Sequence, residues 1–453
     1  MAGIFGTDGV RARINTGMMR SEAVVRLALA AGRWFSDHSA AGGRSSQPVV
    51  VIGKDTRLSG YMLESALVAG FTSIGINCRL LGPVPTAAVS YLTHSMRADF
   101  GVMISASHNP HHDNGIKLFG ADGRKLDDRI EEEISALMQG SIALAEAEGM
   151  GRARRIINSD SRYVEFSKST FDEAASLDGV RIVVDCAHGA AYRTAPNTLT
   201  ELGADILPMG VAPNGLNINH DCGATSPQAL QGVMADANAD LGIALDGDAD
   251  RLILCDETGR VCDGDQILAA LALDMQDRGV LNGPVIGTLM SNLGLERLLA
   301  ERGIGFERTA VGDRYIMERM LATGASLGGE PSGHILLPHL SRTGDGLIAA
   351  LQILSILSRT GRRASEILSP FIPVPQKLVN IKDVDKAVLS YKAVNEAVAE
   401  AEAELGDEGR VLLRPSGTEP LIRVMVEALD ETALDKAMAH LTETISAHAR
   451  PAS

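Results

Sequence analysis

Aspartates recur at every second position in Asp246-Gly247-Asp248-Ala249-Asp250-Arg251, directly after the apolar run Leu241-Gly242-Ile243-Ala244-Leu245. In an extended loop that spacing turns three carboxylates towards one point, and Gly247 and Ala249 leave the backbone free to fold tightly. Crowded carboxylates repel until a hard divalent cation neutralises them, so the pattern predicts one Mg²⁺ held by Asp246, Asp248 and Asp250. The distal bidentate glutamate of a helix-loop-helix calcium site is missing.

A second stretch, Ser105-Ala106-Ser107-His108-Asn109-Pro110, follows the short apolar run Phe100-Gly101-Val102-Met103-Ile104. It places two hydroxyls and an imidazole on a turn at the carboxyl end of a strand, where open α/β sheets put their ligands. A hydroxyl there can serve as a nucleophile or a phosphate carrier, or the turn can simply cap a loop. A third stretch, Arg414-Pro415-Ser416-Gly417-Thr418-Glu419-Pro420 with Arg423 beyond it, has what a phosphate pocket needs. Arg414 and Arg423 supply guanidinium forks, Ser416 and Thr418 hydroxyl donors, and Gly417 a turn of backbone NH groups. A fourth, Gly328-Gly329-Glu330-Pro331-Ser332-Gly333-His334, offers Glu330 and Ser332 to sugar hydroxyls or an amine, with His334 beside them.

These loops need strands to carry them. Val49-Val50-Val51-Ile52-Gly53, 78–81 and 100–104 alternate with helical stretches in a βαβαβ order that ends at Ser105. The order recurs from Arg181-Ile182-Val183-Val184-Asp185 through Asp205-Ile206-Leu207 and a helix from about Pro227 to the acidic loop. A third pass runs from Val285-Ile286-Gly287-Thr288 through Gly305-Phe306-Glu307-Arg308 to Ser326-Leu327 and the Glu330 loop. After a proline-rich linker at 370–375 come a helix signal over 384–405, strands at 410–414 and 421–426, and a terminal helix. The expectation is an α/β protein: three similar βαβαβ mixed-sheet domains followed by a smaller α+β domain, arranged around a central cleft. The domains are expected at 1–158, 159–256, 257–370 and 371–453. Trp34 reads as core, and 125–133 as a solvated charged face.

Composition narrows the function. A formal net charge of -15 with no Lys/Arg run argues against a nucleic-acid partner, so an anionic substrate needs local arginines and a metal. The cysteines, Cys78, Cys186, Cys222, Cys255 and Cys262, are scattered without a CxxC pair, which argues against a disulfide framework or zinc site and fits the cytoplasm. The start of the chain lacks the pattern of a signal peptide. The longest apolar run, 347–357, is interrupted by Gln352 and Ser355; it reads as a core helix, too short to span a membrane.

Together the four loops, SASHNP at 105–110, DGDADR at 246–251, GEPSGH at 329–334 and RPSGTEP at 414–420, resemble the α-D-phosphohexomutase family across essentially the whole chain. Phe5-Gly6-Thr7-Asp8-Gly9-Val10-Arg11, Val311-Gly312-Asp313-Arg314 and Pro331 look like the members that act on 2-amino sugars; Ala12 stands where a glycine commonly follows the arginine. The resemblance implies that Ser107 is phosphorylated and joins Asp246, Asp248 and Asp250 around the metal, with Arg251 nearby. It implies His108 and Lys117 as candidates for acid/base work and Arg11 as an electrostatic helper. Glu330, Ser332 and His334 would hold the sugar, while Arg414, Ser416, Gly417, Thr418 and Arg423 hold the phosphate that is not reacting. The implied reaction interconverts glucosamine 6-phosphate and glucosamine 1-phosphate, with glucosamine 1,6-bisphosphate as intermediate and activator, and feeds UDP-N-acetylglucosamine and cell-wall precursors. Glucose or mannose phosphates are the alternative substrates. The partner implied is a small sugar phosphate, without nucleic acid or membrane, and a homodimer is compatible with it.

Overall fold

The computed structural model describes residues 4–6, 8–40, 47–415 and 421–449. The chain divides into two compact units, Met1–Thr288 with Thr309–Pro370, and Leu289–Arg308 with Phe371–Ser453.

The first unit contains three sheets. In the first the strands run in the order Val10–Arg13, Asp113–Gly120, Phe100–Ile104, Val49–Lys54, Asn77–Pro83 and Ala153–Arg155. Val49–Lys54 and Phe100–Ile104 are nearly continuous apolar runs because they are central and buried on both faces. Helices Ser21–Ala40 and Gly60–Ser73 contribute to the core above them. The pairing is parallel in the middle, as the βαβαβ order requires, but Asp113–Gly120 returns antiparallel beside Phe100–Ile104. That return sets Lys117 opposite Met103, just below the serine turn.

In the second sheet the order is Val261–Cys262, Leu252–Asp256, Leu241–Leu245, Arg181–Asp185 and Asp205–Met209. Leu241–Leu245 and Leu252–Asp256 pair antiparallel with Leu245 opposite Leu252, so 246–251 is the loop of a closed hairpin. A closed register, rather than a free loop, holds the aspartates together.

The third pass departs from expectation. Its strand is Gly328–Gly329, not the apolar Ser326-Leu327 before it, and it pairs antiparallel with Ile335–Leu336. The glycines read as a turn but are selected by packing: a Cβ on Gly328 would lie 2.7 Å from Ile316 and 2.9 Å from the Ile286 carbonyl. Residues 330–334 connect this small hairpin. The 347–357 run lies in helix Gly346–Thr360, buried along most of its length. Among the described residues no helix is long and apolar enough to cross a membrane.

The second unit is a three-stranded antiparallel sheet in the order Gln376–Lys382, Leu421–Ala428 and Gly409–Pro415, sharing a core with helices Lys392–Leu405 and Glu431–His448. Gln376–Lys382 is absent from the sequence-based expectation. As an edge strand it buries little, and its Lys, Gln and Asn side chains hide its period. The 384–405 helix signal resolves into a 3₁₀ turn, Lys386–Ser390, and the helix from Lys392.

Candidate active site

The serine turn is rigid for reasons that can be enumerated. Ser105 Oγ donates to Asp55 Oδ2 at 2.7 Å and accepts from the Ser107 amide at 2.9 Å. Ser107 adopts the left-handed region, φ 51°, which costs a non-glycine residue of order 1 kcal/mol and must be imposed by its surroundings. Arg57 does much of the imposing. Its buried guanidinium pairs with Asp55 at 2.8 Å and donates to the carbonyls of Ser107, Asn109, Pro110 and Asp113. Asn219 Nδ2 donates to the Ser107 carbonyl from the opposite domain of the unit, at 2.9 Å.

Ser107 Oγ donates to Asp246 Oδ2 at 2.6 Å. That approach needs Gly247, since a Cβ there would lie 2.6 Å from the Ser107 carbonyl. Asp246, Asp248 and Asp250 are all buried, with ligand oxygens within 4.8 Å of one another. Burial, then the charges of Asp250 and Asp248, push the Asp246 pKa up to about 7. Oδ1 of Asp248 and of Asp250 is buried without a hydrogen-bond donor. Converging, crowded oxygen donors with unused lone pairs fit a hard divalent cation such as Mg²⁺. The first turn of Gly346–Thr360 abuts the same loop, the Gly346 amide donating to the Ala249 carbonyl at 3.0 Å.

Protein cations share the task of holding these charges. Lys117 Nζ lies 2.9 Å from Asp248, 3.1 Å from Asp250 and 3.0 Å from Asp8. Burial opposes its charge, but Asp248, Asp250 and Asp8 raise its pKa well above the ordinary lysine value, so Lys117 stays an ammonium, a hydrogen-bond donor that cannot accept a proton. Asp248, despite burial, is held well below the usual carboxylate range by Lys117 and Thr86. Arg11 pairs with Asp8, and Lys125 bridges Asp8 and Asp313. The reading of 125–133 as a solvated face therefore fails at Lys125 and also at Glu131, which is buried against Arg314. Both partners come from distant sequence, which helical periodicity cannot reveal.

His334 is buried between Asp250 at 3.8 Å and Asp313 at 3.3 Å. Burial would lower its pKa, but Asp313 and Asp250 raise it to about 9. The ring thus stands charged between two carboxylates. Glu330 lies close by in sequence, with Oε1 accepting from the Gly312 amide at 2.9 Å and Oε2 from Ser332 Oγ at 3.1 Å. His108 Nδ1 is 3.3 Å from Ser107 Oγ. Burial, then Arg251 and Arg11, push the His108 pKa down to about 4, leaving a neutral ring at neutral pH. The Arg251 amide donates to Asp246 Oδ1 at 3.2 Å.

Ser107, His108, Lys117, Arg11, Arg251, the aspartates and the Glu330 loop all belong to the first unit. Arg414 and Arg423 belong to the second, directly opposite each other on neighbouring strands. Ser416, Gly417 and Thr418 lie outside the described residues. Sequence reasoning missed Arg57, Asp55, Asp8, Lys125 and Asp313. Arg57 was findable, because Lys54-Asp55-Thr56-Arg57 leaves the carboxyl end of the strand beside the serine strand.

Four phosphoglucomutase/phosphomannomutase family models match in series: alpha/beta/alpha domain I at residues 2–143, domain II at 161–259, domain III at 263–373 and the C-terminal domain at 376–443. The phosphoglucosamine mutase of Maricaulis maris is 58% identical over 427 residues, 93% of this chain and 94% of its own. That of Paracoccus denitrificans is 56% identical over 437 residues, 95% and 96% of the two chains. Among solved structures, a phosphoglucomutase/phosphomannomutase family protein from Burkholderia thailandensis superposes with a TM-score of 0.81 at 24% identity, covering 99% of this chain and 98% of its own. An Aspergillus fumigatus N-acetylphosphoglucosamine mutase, in complex with GlcNAc-6P and magnesium, has the same fold at 17% identity, with a TM-score of 0.68 and coverage of 97% and 95%.

Proposed function

The chain belongs to the α-D-phosphohexomutase family and, within it, to the phosphoglucosamine mutases, and we propose that it interconverts glucosamine 6-phosphate and glucosamine 1-phosphate through phosphorylated Ser107. The observation that carries the assignment of the reacting group is Ser107 Oγ, 2.6 Å from Asp246 on the rim of a buried carboxylate triad. Asp246, Asp248 and Asp250 would hold Mg²⁺ beside Ser107, where it would neutralise charge on the phosphoryl group in transfer.

Phosphoserine Ser107 passes its phosphoryl group to O1 of glucosamine 6-phosphate, giving glucosamine 1,6-bisphosphate. The bisphosphate turns over and returns its 6-phosphoryl group to the serine, and glucosamine 1-phosphate leaves. The serine phosphate carries about -1.5 to -2 charges, which Arg11, Lys117 and Arg251 offset. Lys117, fixed as an ammonium, can donate to an oxygen on which charge develops, while neutral His108 next to Ser107 Oγ can accept a proton. Glu330 and Ser332 face sugar hydroxyls or the amine, and His334 serves the same loop by fixing Asp250 and Asp313. Arg414, Ser416, Gly417, Thr418 and Arg423 hold the idle phosphate.

The same reading carries free glucosamine 1,6-bisphosphate as activator, UDP-N-acetylglucosamine and cell-wall precursors as the destination, a cytoplasmic setting and a homodimer. Five free, buried cysteines support the reducing setting. The four-domain partition at 1–158, 159–256, 257–370 and 371–453 is retained with it.

Specificity constants measured on fully phosphorylated enzyme, with matching bisphosphate activators, test the substrate. One charge-assisted hydrogen bond to the amine predicts about a ten- to a hundredfold preference for glucosamine 6-phosphate over glucose 6-phosphate. A better rate with glucose or mannose 6-phosphate would overturn the amino-sugar reading and leave the phosphoserine chemistry standing.

A further inference from the structure

Beside the Lys125–Asp313 pair, within the first unit, lies a cavity of about 140 Å³. Arg124 and Arg342 enter its lining from two distant chain segments, and the Arg342 stem passes over the turn at Gly123, 3.1 Å from where a Cβ would stand. Among the described residues neither guanidinium has an ion-pair partner, and Arg124 Nε is buried without an acceptor. Thr343, 4% exposed, also lines the cavity, and its Oγ1 has no hydrogen-bond partner either.

The other cations in the lining are already neutralised. Lys125 is shared by Asp8 and Asp313, and Arg314 by Asp128 and Glu131. The remaining acids offer Arg124 and Arg342 no counter-charge: Asp127 accepts from the Ile130 amide as a helix cap, and Glu318 is exposed. Leu126, Met317 and Leu336 give the cavity an apolar side. Two uncompensated forks and an orphaned hydroxyl opposite an apolar wall fit an anionic head on a short apolar body.

We propose that this cavity binds a small organic oxyanion, its carboxylate or phosphate head held by Arg124, Arg342 and Thr343 and its body lying against Leu126, Met317 and Leu336. The site is separate from the serine, the acidic hairpin and the arginines of the second unit. It does not depend on which sugar phosphate the enzyme converts.

The test uses full-length, magnesium-loaded enzyme labelled at the methionine methyls, with the Met317 resonance assigned through Met317→Leu. Inorganic phosphate and butyrate are titrated separately, so that the two head groups are distinguished. The expected result is a saturable shift of Met317 with at least one probe, weakened about tenfold or more in Arg342→Gln and in Arg124→Gln. Arg423→Gln should leave that titration unchanged, which separates it from phosphate binding in the second unit. Turnover of Arg342→Gln without added anion should match wild type. A Met317 methyl that is still when phosphate saturates the enzyme and butyrate is present in equal excess would overturn the proposal. So would equal affinity in both arginine variants, provided their melting temperatures match wild type.

Discussion

Two clusters of like charge in this molecule are held in opposite ways. In the first unit, Asp8, Asp246, Asp248, Asp250 and Asp313 are interleaved with Lys117, Lys125, Arg11 and His334, so buried anions find counter-ions within the protein. In the second, Arg414 and Arg423 stand directly opposite on antiparallel strands, and among the described residues neither has a carboxylate partner. Like charges opposed across a strand pair repel, by about 0.2–1 kcal/mol. The acidic centre is therefore largely offset by protein cations before substrate arrives, with Oδ1 of Asp248 and of Asp250 left for a metal, whereas among the described residues the basic pair is left unbalanced. On the proposed mechanism the difference has a use: a group that reacts in every cycle needs fixed surroundings, while a pocket that takes either end of a bisphosphate needs only unspent charge.

The largest effect that bears on this contrast is expected from Ser107→Ala. Steady-state interconversion should vanish while the circular dichroism spectrum is unchanged, because the substitution removes one loop hydroxyl and no core contact. Residual turnover would mean that the acidic centre surrounds something other than the reacting group.

Next in size is Lys117→Met. Asp248 and Asp250 would remain buried with their main cation gone, and metal-free protein should lose about 3–5 kcal/mol in urea unfolding. Added Mg²⁺ should restore part of that loss, since it enters the same carboxylates. Equal stability with and without Lys117 would break the claim of internal compensation.

The basic pair should respond with the opposite sign. Arg423→Gln relieves a repulsion, so ligand-free stability should hold or rise by less than about 1 kcal/mol. The KM for the sugar phosphate should meanwhile rise about ten- to a hundredfold, with kcat changed less. A loss of stability as large as that of Lys117→Met would erase the distinction between the clusters.

The smallest effect lies at the border of the acidic centre. Burial, opposed by Arg314, raises the Glu131 pKa to about 7 from the ordinary glutamate value of 4.5. Because folded Glu131 binds its proton more tightly than the unfolded chain does, its contribution to stability is full below pH 4.5 and is lost as pH rises through about 7. Glu131→Gln should flatten that part of the melting-temperature profile, and an unchanged slope would place the border's pH dependence elsewhere.

Much of the acidic centre was legible because its signals are local: an apolar strand, alternating aspartates, a serine turn closed by proline. What pairs with those residues was not. Lys125 sits in a run of charges that looks solvated, and only the approach of Asp8 and Asp313 gives it a buried role. Gly328–Gly329 reads as a turn because two glycines carry no strand propensity, yet contact with Ile316 and Ile286 makes it a strand. Gln376–Lys382 escaped for the converse reason, since an edge strand that buries almost nothing has no apolar period to detect.

Arg57 fixes the place of the serine turn. One guanidinium gathers four carbonyls of the serine turn, so displacing the serine would break several hydrogen bonds at once. In the proposed cycle the serine is thus a stationary origin of coordinates at which both half-reactions take place, and the exchange between the 1- and 6-positions falls to the sugar.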